Sequence, residues 1–200
     1  MSTGRGTMNL PLLRQSIQQA QVIKKGDYEY IIHPLTDGIP AIKMDLILEV
    51  IQAMKQRVQE FEPFDSIVTI EAMGIPLATL LAKELGKPLT IIRKRIYDLD
   101  DETRITQRTG YSTSTLTING LIEGDRIMLV DDVISTGDTL RSVLQGLVSI
   151  KVQVQGVCLV FDKGENVSSL IEEFNIPIDF LLGLNVKNGQ ITIREESIST

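Results

Sequence analysis

Residues 126–139 read RIMLVDDVISTGDT, and the order of residue types in that stretch decides the fold. Ile127, Met128, Leu129 and Val130 form an unbroken apolar run, the pattern of a strand buried on both faces in a parallel sheet. Asp131 and Asp132 follow at once. They bring two carboxylates to the carboxyl end of that strand, where open α/β sheets bind their ligands. Ser135, Thr136, Gly137, Asp138 and Thr139 then make a short hydroxyl-rich loop that opens an amphipathic helix, with Leu140, Val143, Leu144, Leu147 and Val148 as its apolar positions. A helix N-terminus presents unpaired backbone N–H groups, which with neighbouring hydroxyls suit a phosphate. Carboxylates accept hydrogen bonds from a sugar diol or bind a hard divalent cation. A diol and a phosphate together point to ribose 5-phosphate.

Outward from this stretch, strands and helices alternate. A short first helix is expected within residues 9–22, from Leu10, Leu13 and Ile17. A strand follows at 28–32, then a turn at 34–40 around Asp37 and Gly38. Ile47, Ile51, Met54, Val58 and Phe61 step by four and three, which predicts an amphipathic helix over 44–61. Residues 66–70 read as a strand leading into Glu71-Ala72-Met73-Gly74-Ile75-Pro76. Pro76 fits the first turn of a helix that runs to Leu85 and stops at Gly86. Further strands are expected at 89–92, 115–119, 127–130, 151–161 and 178–182, with a helix at 167–174. Residues 97–111 are polar and aperiodic and read as a long loop. The alternation predicts an α/β protein with a mainly parallel central sheet flanked by helices. Residues 9–200 form one domain, and residues 1–8 a disordered extension in which Met8 is a second candidate start.

Composition excludes several classes. The 200 residues are 42% hydrophobic and 23% charged, enough for a full core in one domain. The formal net charge of -6 repels polyanions, so nucleic acid is not an expected partner. No apolar run approaches the roughly 20 residues that span a bilayer, and no signal-peptide core opens the chain. Cys158 is the single cysteine and lies in an apolar run. A buried thiol and a cytoplasmic location fit that usage. A Walker-type phosphate loop is excluded because no Gly-x-x-x-x-Gly-Lys-Ser/Thr occurs. A receiver-like signalling domain also ends strands in clustered aspartates, but it leaves the Thr-Gly-x-Thr loop unexplained.

Other residues are candidates for chemistry. The 71–76 segment joins a strand to a helix and is a second candidate anion site. Arg93, Lys94 and Arg95 stand at a strand end, where cations suit a polyanion. Arg104, Arg108 and Tyr111 lie in the long polar stretch, whose length suits a lid that excludes water. His33, the only histidine, stands beside Pro34 at a strand end and reads as a packed or half-exposed residue in preference to a base. Tyr28 and Tyr30 read either as core residues or as stacking surfaces. The Asp138 carboxylate would repel a phosphate, so it is expected to point outward or to cap the helix.

The apolar strand, acid pair and Ser-Thr-Gly-Asp-Thr loop resemble the phosphoribosyl diphosphate (PRPP) signature of the type I phosphoribosyltransferases. The fragments KKGDYEYIIHPLTDGIP, IVTIEAMGIP, RKR and TGYS extend the likeness in order over most of the chain. Together they resemble the archaeal hypoxanthine/guanine group, which is similar to the adenine enzymes. The resemblance implies a type I fold with a small hood from the N- and C-terminal segments. It implies transfer of a phosphoribosyl group from PRPP to a purine, with Mg²⁺, in a homodimer whose active sites lie near the interface.

Residue by residue, the resemblance places PRPP on Asp131, Asp132 and the 135–139 loop, and the diphosphate on Met73, Gly74, Arg93, Lys94 and Arg95. Asp131 and Asp132 hold Mg²⁺ directly or through water, Arg108 closes over the leaving group, and Tyr28 and Val133 flank the purine. Phe161-Asp162-Lys163 resembles the acid–lysine pair of the oxopurine enzymes, so Lys163 donates to the purine O6. An ammonium donates but cannot accept, which favours hypoxanthine or guanine over adenine. The family's adenine enzymes carry Glu-Tyr-Gly in the lid where this chain has Arg108-Thr109-Gly110-Tyr111, so no glutamate acid/base carries over. Adenine or xanthine transfer, and a PRPP-sensing regulator on the same fold, are the alternative readings.

Overall fold

A computed structural model describes residues 8–26, 28–109, 112–164 and 166–194. Its centre is a six-stranded sheet in the order β10-β9-β8-β7-β3-β4. The strands are β3 (Ser66–Ile70), β4 (Leu89–Ile92), β7 (Arg126–Ile134), β8 (Gln153–Asp162), β9 (Ile178–Lys187) and β10 (Gln190–Arg194). All neighbours run parallel except β10, which returns antiparallel along β9. The helices α4 (Gly74–Leu85), α5 (Asp138–Ser149) and α6 (Val167–Phe174) make the crossovers between parallel neighbours.

β7 is central, and its apolar run Ile127, Met128, Leu129 and Val130 has no exposure. Successive side chains alternate across the sheet. Met128 and Val130 enter a core shared with α1 (Pro11–Gln18), α3 (Met44–Val58) and α4, while Ile127 and Leu129 enter a second core shared with α5 and α6. In α3 the predicted positions Ile47, Ile51, Met54 and Val58 are buried, and Val50 joins them. The helix ends at Val58 and tightens into a 3₁₀ turn over Gln59–Phe61, so Phe61 lies beyond the α-helix. Gly86 closes α4 at φ 65°, a left-handed conformation that favours glycine.

The structure corrects the polar 97–111 segment. Residues Thr103–Thr109 form β5 and pair antiparallel with β6 (Ser112–Ile118), making a two-stranded arm. One apolar residue in seven hid the strand. Ile105 is 7% exposed because α5 passes beneath it at Gly146, where a Cβ would meet Ile105 Cδ1 at 2.5 Å. Arg108 pairs with Thr113 through the backbone, and its side chain and all of Tyr111 lie outside the described residues.

A second two-stranded unit is formed by β1 (Gln21–Lys25) and β2 (Tyr28–Ile32), so the first helix stops at Gln18, short of Val22. The expected 34–40 turn begins as a short helix, α2 (Pro34–Asp37), closed by Gly38 at φ 68°. The C-terminal β9–β10 hairpin meets the first one, where the Gly189 N–H donates to Glu29 Oε1 at 2.7 Å. These two hairpins form the hood expected from the terminal segments. Met8 packs, partly buried, against the α1–α3 core. Among the described residues no helix is long and apolar enough to cross a membrane.

Candidate active site

β7 continues through the acid pair to Ile134, so the aspartates lie within its last turn of side chains and not after its end. The loop then reaches Gly137, whose φ of 83° starts α5. A Cβ on Gly137 would stand 3.3 Å from Leu170 of α6. A cavity of about 150 Å³ opens here, lined among others by Asp131, Val133, Ser135, Thr136, Gly137 and Thr139. Asn166 at the start of α6 donates to the Ser135 carbonyl at 2.9 Å, which fixes the loop from behind. Asp138 turns onto its own surroundings: its carboxylate accepts from Thr136 Oγ1 at 2.9 Å and lies 3.6 Å from Arg141.

The two aspartates differ in setting. Asp132 is 9% exposed and Asp131 partly exposed to the cavity. Burial raises the Asp132 carboxyl to about 6. Burial and the Asp132 charge beside it push Asp131 well above the usual carboxylate range, against the favourable pull of Lys94. The Asp132 N–H donates to Asp131 Oδ1 at 3.0 Å and orients that carboxylate. Two crowded carboxylates with raised affinity for protons are a setting that a bound cation would relieve.

The Glu71–Gly74 loop joins this pair from the neighbouring strand. Its Glu71–Ala72 peptide is cis. Gly74 is buried at the start of α4, where a Cβ would lie 2.2 Å from Thr69 Oγ1 and 2.5 Å from Asp131 Oδ1. Only glycine lets the helix approach the acid pair that closely. Met73 reaches the other way, with its Cε 3.9 Å from where a Cβ on Gly38 would be. Glu71 binds the basic segment: it pairs with the Arg93 guanidinium and accepts from the Lys94 N–H at 2.9 Å. Burial opposes its ionisation, yet these donors hold Glu71 below the ordinary carboxylate range.

The basic triplet is therefore divided. Arg93 is engaged by Glu71, Lys94 is exposed and acts electrostatically on Asp131, and Arg95 lies over the Tyr97 ring at 5.4 Å. Arg93 also exchanges backbone hydrogen bonds with Thr117, tying the arm to this corner. Arg104 does not project as an unengaged lid group, since Asp98 and Glu102 bind its guanidinium.

At the far side, Lys163 follows β8. Its N–H donates to the Ile134 carbonyl at 2.8 Å, and its Nζ lies 3.5 Å from the Ile31 carbonyl. Desolvation lowers its pKa, while Asp37 and Asp132 favour its charge. Gly164 presses on the phosphate loop, where a Cβ would meet the Ser135 carbonyl at 2.5 Å. His33 is fully buried and edge-on to Phe161 at 5.1 Å. Its Nδ1 accepts from the Leu35 N–H at 3.2 Å, so its Nε2–H donates to Ser16 Oγ at 2.8 Å, which in turn donates to the Leu13 carbonyl. Burial, with Lys163 nearby, depresses the imidazole to about 4. Of the packed and half-exposed settings its sequence context allows, His33 thus has the packed one. Tyr30 is 40% exposed, and the side chain of Tyr28 lies outside the described residues.

Sequence reasoning left out Ile31, Asp37, Glu71 as an ion-pair partner, Asn166 and Arg194. None carries a motif. The one available signal was Asp37, an acidic residue in a Pro- and Gly-flanked turn.

Similarity to known proteins agrees with this geometry. Residues 41–180 match the phosphoribosyl transferase domain family. The chain belongs to that family. It is 45% identical to a hypoxanthine/guanine phosphoribosyltransferase of Methanohalobium evestigatum over 93% of this chain and 96% of the relative. It is 38% identical to one of Aciduliprofundum boonei over 92% and 99%. In fold it is similar to the adenine phosphoribosyltransferase of Saccharomyces cerevisiae, with TM-score 0.70 and 19% identity over 86% of this chain and 98% of that one. That of Rhodothermus marinus gives TM-score 0.68 and 21% identity over 88% and 100%.

Proposed function

We propose that the protein is a purine-salvage enzyme that transfers the phosphoribosyl group of PRPP to N9 of a 6-oxopurine, hypoxanthine or guanine, and releases diphosphate. One juxtaposition carries this reading. Lys163, a donor that cannot accept, is hydrogen-bonded through its backbone to the end of the same strand that bears the acid pair and the phosphate loop. A carbonyl-bearing base beside Lys163 then lies next to a ribose held by Asp131 and Asp132. Identity of 45% and 38%, over more than nine-tenths of the chain, to relatives named hypoxanthine/guanine phosphoribosyltransferase supports the same substrates.

In this mechanism Ser135, Thr136, Gly137 and Thr139 hold the 5-phosphate with hydroxyls and backbone N–H groups. The Asp131 and Asp132 carboxylates accept from the ribose hydroxyls. The Gly74 end of α4 and the exposed Lys94 stabilise charge on the departing diphosphate. Lys163 and the Ile31 backbone orient the base so that N9 faces the anomeric carbon. The new N9–C1 bond forms as the C1–oxygen bond to diphosphate breaks, and the N9 proton passes to solvent water. No covalent enzyme intermediate is needed, because positioning and fixed charge supply the acceleration.

The acid pair fits Mg²⁺. It offers hard oxygen donors, and among the described residues no cluster of three or more His, Cys, Asp or Glu exists to enclose a metal completely. Such a site takes an ion that keeps waters and substrate oxygens as its remaining ligands, as Mg²⁺ does. Bound there, Mg²⁺ would supply charge neutralisation of the diphosphate. We also read the protein as a cytoplasmic homodimer. Ile96, Tyr97 and Leu99 are exposed beside the basic triplet and support a protein contact there, which sedimentation would test.

The decisive assay incubates the protein with PRPP, Mg²⁺ and hypoxanthine, guanine, xanthine or adenine in turn, and identifies the nucleotides chromatographically. Inosine or guanosine monophosphate is expected. Product from adenine alone, or from no base, overturns the proposal.

A further inference from the structure

Arg194, the last described residue of β10, is the least expected member of the base side of the cleft. It and Asp162 of β8 are both in register with Gly183 on β9, one from each side. Gly183 has no side chain, and a Cβ there would lie 3.1 Å from Arg194 Cβ and 3.3 Å from its Cζ and Nε. The arginine therefore crosses over the β9 backbone to a strand that is not its neighbour. Its Nη2 donates to the Gly164 carbonyl at 2.7 Å, to Asp162 Oδ2 at 3.0 Å and, more weakly, to the Asp162 carbonyl at 3.4 Å. Asp162 is 2% exposed, and its Oδ1 accepts from the Gly164 N–H at 2.9 Å.

These contacts enclose Lys163 from both flanking residues. With its own N–H held by Ile134, the loop has little freedom to rotate. A charge-assisted hydrogen bond to a buried carboxylate, combined with a carbonyl contact from the same nitrogen, is a strong and directional restraint. Among the described residues the buried Arg194 Nε has no hydrogen-bond partner, so the guanidinium is committed to the 162–164 loop through Nη2.

We propose that Arg194 is a positioning residue for base recognition: through Asp162 and Gly164 it sets the direction of Lys163, and Gly183 is required for its path. The proposal rests on the reading of Lys163 as the oxopurine donor. It assigns Arg194 no contact with substrate. Its effect falls mainly on the base side: Gly164 also lies against the Ser135 carbonyl, but that carbonyl is held by the Asn166 side chain as well.

The test measures KM for hypoxanthine and for PRPP in the full-length protein with Mg²⁺. Arg194→Ala is expected to raise KM for hypoxanthine about tenfold or more, the scale of one lost charge-assisted hydrogen bond, with KM for PRPP changed less than about twofold. Arg194→Lys is expected to fall between, and added methylguanidine to restore part of the loss in Arg194→Ala only. Gly183→Ala, which obstructs the arginine's path, is expected to shift the same ratio in the same direction. An unchanged ratio of the two KM values in Arg194→Ala overturns the proposal. If the alanine variant does not fold, an unchanged ratio in Arg194→Lys and Gly183→Ala does so. No nucleotide from the unaltered protein would instead overturn the underlying enzyme reading.

Discussion

The two sides of the cleft are built differently. The proposed phosphate side comes from one continuous segment, β7 through the start of α5, with Gly74 pressed against it. The proposed base side is assembled from Ile31, His33, Lys163 and Arg194, and the Lys163–Ile31 contact spans 132 residues. A phosphate needs N–H groups and hydroxyls, which a single turn can supply. A planar base needs a donor at a set distance from the sugar, and here that distance depends on how separate elements pack. Changes on the phosphate side should therefore act on turnover and PRPP, and changes on the base side on the purine.

The largest effect expected is on the phosphate side. Asp132→Asn should lower turnover on the order of 10²–10³-fold, the scale of removing one transition-state electrostatic contact. Its thermal midpoint should stay level or rise, since the variant removes a charge from a crowded buried pair. A loss below about tenfold would take the acid pair out of the chemistry.

Next is the pH response of the base side. The unfolded chain protonates His33 near its ordinary 6.5, whereas the folded protein resists until about 4. Stability is thus lost as pH falls from 6.5 to 4, by up to about 3 kcal/mol at about 1.4 kcal/mol per pH unit. In urea titrations across this range, the gap between the native protein and His33→Asn should narrow as pH falls. A constant gap contradicts the assignment.

Lys163→Met should raise KM for hypoxanthine by about 10- to 100-fold, matching a hydrogen bond from a charged donor, and leave KM for PRPP nearly unchanged. An equal rise in both constants would erase the distinction between the two sides. Gly74→Ala should cost about 1–3 kcal/mol of stability through overpacking and raise KM for PRPP more than KM for the base. Unaltered PRPP kinetics would show that the approach of α4 to Asp131 is structural only.

Much of the fold was legible because its signals are local. The β7 apolar run, the α3 spacing and the Gly86 stop each arise within a few residues, and each stands close to where the sequence predicts it. β5 was not legible, because Ile105 is buried by Gly146 from a helix more than thirty residues later. β10 was missed for a similar reason. QITIR does alternate polar and apolar residues, but it is only five residues long, none of them fully buried, and it becomes a strand by pairing with the extended end of β9.

The same division holds for the cleft. By itself the sequence determined the parallel sheet, the acid pair and the phosphate loop, because strand, turn and helix cap are specified by neighbours in the chain. Only the tertiary structure decided that Glu71 engages Arg93, that His33 is a buried neutral imidazole, and that Arg194 crosses Gly183 to hold the Lys163 loop. Those outcomes depend on distances between elements far apart in sequence, and such distances are set by packing.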